Sequence, residues 1–386
     1  MNEELMPVPG SDGSVQVRNE SPTRRFPGYV RTFISSDRNL TVKWAIPFLS
    51  IAAAFVLCGG LMWLWGANPF RVYGLMVQQS FGSVFAINQT FLEAIPLLLC
   101  GLGVAWAYRI SVWNIGAEGQ FTMGAIAATG MTIYFPHLPS VVMIPSMMVV
   151  SVLAGAGWAC IAAVLKAYLQ VNELITTLML NYVAGLYMDY LVYGPWKDPK
   201  GFNFPGTAMF TPSEQLPTLF GTQVHIGAVI ALVGVVLYAW TFAKTRWGYE
   251  LRVLGSNPTA ARYAGIPVVR QMVWVMFISG GLAGLAGMCE VSGVTHQLQH
   301  GLSPGYGYTA IIVAWLARLH PIGLLVSSVF FGGLLVGGYS VQTLGLPSSI
   351  SLMLQGAILF FAVAGEYVQQ YGRWSWRVSS QRGGVS

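Results

Sequence analysis

"QMVWVMFISGGLAGLAGMC", residues 271–289, runs from Arg270 to Glu290 without one charged side chain. As a helix rising 1.5 Å per residue it is roughly as long as the ~30 Å hydrocarbon core of a bilayer is thick. A soluble helix keeps one polar face, and this run has none. Gly280, Gly284 and Gly287 recur at helical spacing, which lets a neighbouring backbone come close. The run therefore reads as a packed membrane helix, and the rest of the chain has to be read in that solvent.

The composition agrees. Of 386 residues 54% are hydrophobic and 9% are charged, against about 25% charged in soluble domains. Runs of spanning length or near it are expected at 44–66, 88–108, 111–133, 141–165, 173–193, 223–243, 270–293, 306–318, 321–342 and 348–367. The expected fold is an all-α polytopic membrane protein with about ten transmembrane helices. The segment near 306–318 is short or broken. The transmembrane domain is read as 44–367, between a flexible basic tail at 1–43 and a second basic tail at 368–386. The first tail holds Glu3 and Glu4 where a signal peptide would be basic.

Ten crossings put both termini on one side, and charge selects the cytoplasm. That orientation keeps 17 of the 20 Lys and Arg inside and leaves Arg71, Lys197 and Lys200 outside. The basic balance is thus a topology signal and implies no nucleic acid. Cys58, Cys100, Cys160 and Cys289 each sit in an apolar run, with no CxxC pair and no Cys/His cluster, so they read as small buried hydrophobes without a metal site.

Polar residues inside apolar spans are costly and few. "NELITTLMLNY" (172–182) sets Glu173, Thr177 and Asn181 on one helical stripe, beside Tyr182. The stripe is either the wall of a solute route or a cap, a dipole partner and two interhelix hydrogen bonds. "WNIGAEGQFTMGA" (113–125) gathers Asn114, Glu118 and Gln120 among glycines. Gly-rich helix starts at membrane depth often surround binding sites, and close packing is the alternative. Glu290 ends the quoted run. Beyond it "THQLQHGLSPGYGY" (295–308) is either a re-entrant mouth or an outer loop. Pro96, Gly101 and Gly103 interrupt the second span, which is either a kink beside a route or a packing feature.

The loop 244–270 holds "GSNPTAARYAGIP" (255–267). Asn257 suits a helix N-cap, Pro258 the first helical position, and Gly265 a left-handed C-terminal stop. No GxxxxGK[ST] loop, no HExxH motif and no nucleophile–base set is present. This chain therefore holds no cofactor of its own, and any ATP and Mg are bound by another subunit.

Three stretches, "NIGAEGQFTMGAI" (114–126), "NELITTLMLNY" (172–182) and "LRVLGSNPTAARYAGI" (251–266), resemble the permease subunits of bacterial ABC importers in the simple-sugar, branched-chain amino acid and nucleoside group. The nucleoside type is the nearest. "GLSPGYGYTAIIVAWLARLHPIG" (301–323) strengthens the likeness, which covers about 44–367. The resemblance implies a coupling helix, Asn257 to Gly265, docking on a separate ATP-binding cassette subunit through Asn257, Ala260, Ala261, Arg262, Tyr263 and Gly265. It also implies a second permease subunit, a paralogue, and a periplasmic or lipid-anchored substrate-binding protein. The setting would be the bacterial inner membrane and its lipid, and the cargo a nucleoside. Tyr182, Tyr306 and Tyr308 would stack on a base, and Asn or Gln would meet ribose hydroxyls. A ribose-like sugar permease is the first alternative. An ion-driven secondary transporter using Glu118, Glu173 and Glu290 is the second.

Overall fold

The computed structural model describes residues 40–201, 204–219 and 221–371. The N-terminal tail up to residue 39 and the C-terminal tail from 372 lie outside the described residues. The described chain is helical, and its only β pairings are the isolated bridges Gly206↔Gln299 and Thr218↔His225. The helices are α1 (Leu40–Leu64), α2 (Pro69–Phe81), α3 (Val84–Tyr108), α4 (Ala117–Tyr134), α5 (Ser140–Leu169), α6 (Glu173–Tyr193), α7 (Gly227–Lys244), α8 (Arg246–Ser256), α9 (Pro258–Tyr263), α10 (Val268–Glu290), α11 (Tyr306–Leu316), α12 (Pro321–Ser340) and α13 (Ile350–Tyr371). A π-helical turn, Val291–Thr295, prolongs α10.

Each of the ten expected spans meets a helix; 173–193 matches α6 at both ends, and the others have one or both ends shifted. α1 begins inside the expected tail and α13 runs four residues past 367. The third span starts at Ala117 rather than 111, because residues 113–116 enter as loop and turn. α3 continues through Pro96 without interruption. Among the described residues, five helices are long and apolar enough to cross a bilayer: α3, α5, α7, α10 with its π turn, and α12 with the turn after it. Phe48–Leu64, Tyr306–Leu316 and Ile350–Gly365 are shorter apolar helices.

Two helices were not expected. α2 fills the stretch read as a connection between the first two spans. Asn68 caps it through Oδ1, and its Ser80 hydroxyl donates to the Gly333 carbonyl of α12 at 2.6 Å. α8 precedes α9, so the loop helix is a pair. Neither shows the long apolar run by which the spans were recognised.

The core is built around α10, which packs on α3, α4 and α5. Its glycine stripe is the packing face. A methyl on Gly284 would sit 2.3 Å from the Ser151 carbonyl oxygen of α5, and one on Gly287 would sit 2.0 Å from the Phe121 carbonyl oxygen of α4. Cys58, Cys100 and Cys289 are buried, and all four cysteines are free thiols.

The bundle has two distinct ends. At one, Arg109, at the C-terminus of α3, donates to Tyr238 Oη of α7 (3.0 Å) and to the Leu319 carbonyl after α11 (2.9 Å). α8 is tied to the same end by the Ser111 hydroxyl, which donates to the Gly255 carbonyl at 2.9 Å. At the other end the 194–226 loop is laced to the segment after α10. Thr207 N–H donates to Leu298 C=O (2.9 Å), and Phe210 N–H to His296 C=O (2.8 Å).

Candidate functional site

α11 has 11 residues, roughly 16 Å at 1.5 Å per residue, which is about half a bilayer core. Its C-terminus is at the Arg109 end, and Tyr306, at its N-terminus, is buried inside the bundle. Residues 296–305 lead into that point. α4 also begins there. A methyl on Gly307 would sit 2.2 Å from the Glu118 backbone nitrogen. Two helix N-termini, each with orphan N–H groups and a partial positive charge, therefore face each other inside the bundle.

The side chains at this junction satisfy those donors. Glu118 Oε2 accepts the Gly307 N–H at 2.7 Å, and the Ser303 hydroxyl bonds to the same carboxylate. Ser303 Oγ accepts from Gly305 and Tyr306 N–H, both at 3.0 Å. Asn181 of α6 locks the other side. Its Oδ1 accepts the Gly119 N–H (2.8 Å), and its Nδ2 donates to the Ile115 carbonyl (2.9 Å) and to Tyr308 Oη (3.3 Å). Glu118 keeps partial exposure, while Asn181 is buried.

Asn114 and Gln120 form a separate pair. Each amide donates to the other's oxygen at 2.9 Å, and Asn114 also donates to Ser279 Oγ of α10 at 2.8 Å. Both are buried with these bonds made, so they fasten α4 to α10 and offer nothing to a solute. The Glu173–Thr177–Asn181 stripe likewise turns inward. Thr177 is buried on its own helix's carbonyls, and Glu173 pairs with Lys166 of α5. The open face of α6 is the neighbouring one, with Tyr182 at 60% exposed. The sequence stripe was real, but its direction depends on where α4 and α5 pack.

Glu290 is buried at the end of α10, far along the bundle from α8, and faces Glu93 of α3. Glu93 Oε2 accepts the Tyr306 hydroxyl at 2.6 Å. Tyr306 is buried and unavailable for stacking, whereas Tyr308 is 39% exposed. Glu93 escaped the sequence reading. A lone acid in the apolar run 91–105 was the signal that pointed to it.

α9 is a six-residue helix stopped at both ends. Asn257 Oδ1 accepts the Thr259 and Ala260 N–H groups, both at 3.0 Å. Gly265 at φ +77° lets Ile266 N–H reach Ala261 C=O and Gly265 N–H reach Arg262 C=O, each at 3.0 Å, which closes the C-terminus in a Schellman turn. Ala261 is buried against its own chain, so it is not part of the outer surface. Pro258, Thr259, Ala260, Arg262 and Tyr263 are exposed, Tyr263 at 91%. Behind α9, Trp247 Nε1 donates to Gln271 Oε1 of α10 at 2.5 Å, and Arg252 donates to the Phe242 carbonyl of α7 at 2.8 Å. An open groove between α9 and the start of α8 is lined by Lys244, Arg246, Tyr249, Glu250 and Ile266.

At the opposite end His225 is buried beneath the 194–226 loop, and its Nδ1 accepts the Gly227 N–H at 3.1 Å. Burial, with His296 nearby, pushes this imidazole down to about 4.

A family model described as "branched-chain amino acid transport system / permease component" matches residues 86–363. The chain is 34% identical to the glucose ABC transporter permease protein TsgB13 of Haloferax volcanii, over 86% of this chain and 90% of that protein. It is 30% identical to the nucleoside ABC transporter permease protein NupB of Lactococcus lactis subsp. cremoris, over 84% and 91%. It is 30% identical to the probable riboflavin import permease protein RfuC of Treponema pallidum, over 81% and 82%. The chain belongs to this permease family and is an ABC transporter permease embedded in a membrane. That membership takes the place of the ion-driven alternative.

Proposed function

We propose that this permease is the membrane subunit of a binding-protein-dependent importer for nucleosides, driven through α9 by a separate ATPase. The observation that carries the reading is α9 itself: a capped, six-residue helix with five outward side chains, continuous with α8, which is hydrogen-bonded to α7, to α10 and to the loop after α3. Such a helix moves as one piece. A partner that grips Ala260, Arg262 and Tyr263 would shift the ends of three long helices together. A helix made to lie on lipid would carry a larger apolar face.

In this account both termini and the α8–α9 end face the cytoplasm of a bacterial cell, and ten helices cross the inner membrane. ATP and Mg bind on the ATPase subunit. A paralogous permease encloses the route from the other side, and a periplasmic or lipid-anchored binding protein delivers solute to the loops at 194–226 and 291–305. The route passes the α4–α11 junction, where Glu118 keeps partial exposure beside Tyr308 and the open face of α6. A nucleoside carries the ring and the vicinal hydroxyls that such phenols and acceptors suit. A sugar is the second reading, favoured by the likeness to a glucose permease, and shares the hydroxyls without the ring.

Site-directed cross-linking tests the docking. Tyr263→Cys in a cysteine-free background should link to the ATPase subunit with a short bismaleimide, and Met209→Cys in the far loop should not. Absence of a Tyr263 cross-link in an intact complex would remove α9 from the interface.

A further inference from the structure

The outer face of α7 is apolar to its last turn and then ends in charge. From Ala228 to Ala243 every residue of α7 that is not buried is aliphatic, glycine or Trp240. Val229, Val233, Val236 and Trp240 are 44–65% exposed. With Lys244 they fall within about 80° of one another on a helix of 100° per residue. A spanning helix turns such a stripe toward lipid chains, and Trp240 marks the level of the interface.

The stripe runs into the groove between α9 and the start of α8. Lys244 is the last residue of α7 and Arg246 the first of α8, on either side of Thr245, which is extended at φ −103° and ψ 151°. Both cations line the groove, together with Ala243, Tyr249, Glu250 and Ile266. Both are exposed, and neither side chain forms an ion pair or hydrogen bond among the described residues. Glu250, the one acid in the lining, is engaged by α10: its Oε2 accepts the Gln271 amide N–H at 3.1 Å. Two cations against one acid leave one positive charge over, which a single phosphodiester neutralises.

We propose that this groove seats the headgroup of an anionic phospholipid, its phosphate between Lys244 and Arg246 and an acyl chain along Val236 and Trp240. Basic pockets between helices at the membrane surface draw anionic headgroups. A lipid fits better than a protein segment because the lining begins at Ala243 and Lys244, where the apolar stripe ends. One molecule with both a charge and a chain matches both features. Held there, the phosphate bridges the bend at Thr245 and ties α7 to the helix pair that carries α9. The site lies apart from the proposed solute route, so it goes beyond the importer reading and stands or falls independently of the cargo.

The test uses the whole complex, both permeases with ATPase and binding protein, in phosphatidylcholine vesicles. Val236→Cys, labelled with bimane in a cysteine-free background, reports lipids whose chains carry bromine by the quenching they cause. A minor share of brominated phosphatidylglycerol should quench as though it were enriched at least about fivefold over the same share of brominated phosphatidylcholine. Lys244→Gln combined with Arg246→Gln should bring the two lipids level within about twofold, and Lys244→Arg combined with Arg246→Lys should keep the preference. High salt should also cut the preference with the groove intact, a measurement that needs no change to the cations. Equal quenching by the two lipids with the groove intact would overturn the proposal, as would a preference that survives the Gln pair or high salt. A groove without preference whose Gln pair releases the ATPase subunit would assign it to that partner instead.

Discussion

The Glu118 carboxylate of α4 accepts the Gly307 N–H of α11 at 2.7 Å, so one residue joins the starts of two helices. In water such a donor would find a solvent partner. Inside a bilayer it has only what the protein supplies. Glu118 thus does structural work at the point where the proposed route passes.

Replacing that carboxylate separates the two parts of its role. Glu118→Ala strands the Gly307 N–H, which costs about 1–3 kcal/mol. Glu118→Gln keeps a carbonyl acceptor and loses less. Thermal unfolding of purified complex should rank wild type and Gln together, with Ala clearly below. Equal melting of Ala and wild type would mean that the junction bond contributes nothing.

Gly265 holds φ +77°, with nothing within 4 Å of a built Cβ, so a side chain there meets strain and not crowding. A left-handed L-residue costs roughly 1–2 kcal/mol, more for a β-branched one. Gly265→Val should weaken co-purification with the ATPase subunit, while Gly265→Asn, which tolerates that conformation, should be milder. Val and Asn variants that assemble equally well would argue that the C-terminal stop of α9 is dispensable.

The α5–α10 contact depends on an absent side chain. Gly284→Ala would place a methyl 2.3 Å from the Ser151 carbonyl oxygen, whereas Gly185→Ala would meet nothing within 4 Å. Overpacking of this kind costs about 1–3 kcal/mol. The melting temperature of the complex should fall for Gly284→Ala and hold for Gly185→Ala. A reversed order would refute the packing of α10 described here.

His225 gives the loop at 194–226 a pH dependence. Its imidazole is lowered from 6.5 to about 4 by burial and His296. The opened loop therefore binds more protons than the closed one between those values. Closure is at full strength above about pH 6.5, weakens as pH falls toward 4, and loses on the order of 3 kcal/mol across that window. Protection of residues 204–219 from hydrogen exchange, taken relative to the intrinsic rate at each pH, should fall on acidification in wild type and stay flat in His225→Asn. A flat wild-type profile would show that the ring is already solvated.

Much of this was legible in the sequence because the bilayer imposes a simple rule. Apolar runs with few charges must be helices there, so ten positions could be marked from hydropathy and length, and the Asn257–Pro258–Gly265 punctuation located α9 and both its stops. α2 was missed because its 13 residues include Arg71, Gln78 and Gln79, and its burial depends on α12. The polar residues were found but not their directions. Asn114, Gln120 and Asn181 looked like route lining, yet Asn114 and Gln120 pair with each other and with Ser279 of α10, and Asn181 bonds to the start of α4 and to Tyr308, contacts that helical periodicity does not encode. Tyr182 and Tyr308 look alike in sequence to the buried Tyr306, and only packing separates them.

The central claim is that force enters through α9 from a subunit that burns ATP elsewhere. The most direct measurement is uphill guanosine uptake into proteoliposomes holding both permeases and the binding protein, with and without the ATPase subunit. The account predicts accumulation above the outside concentration only when ATPase and ATP are both present, and its loss when Gly265→Val uncouples α9. Accumulation without the ATPase, sustained by an ion gradient and collapsed by an ionophore, would contradict it.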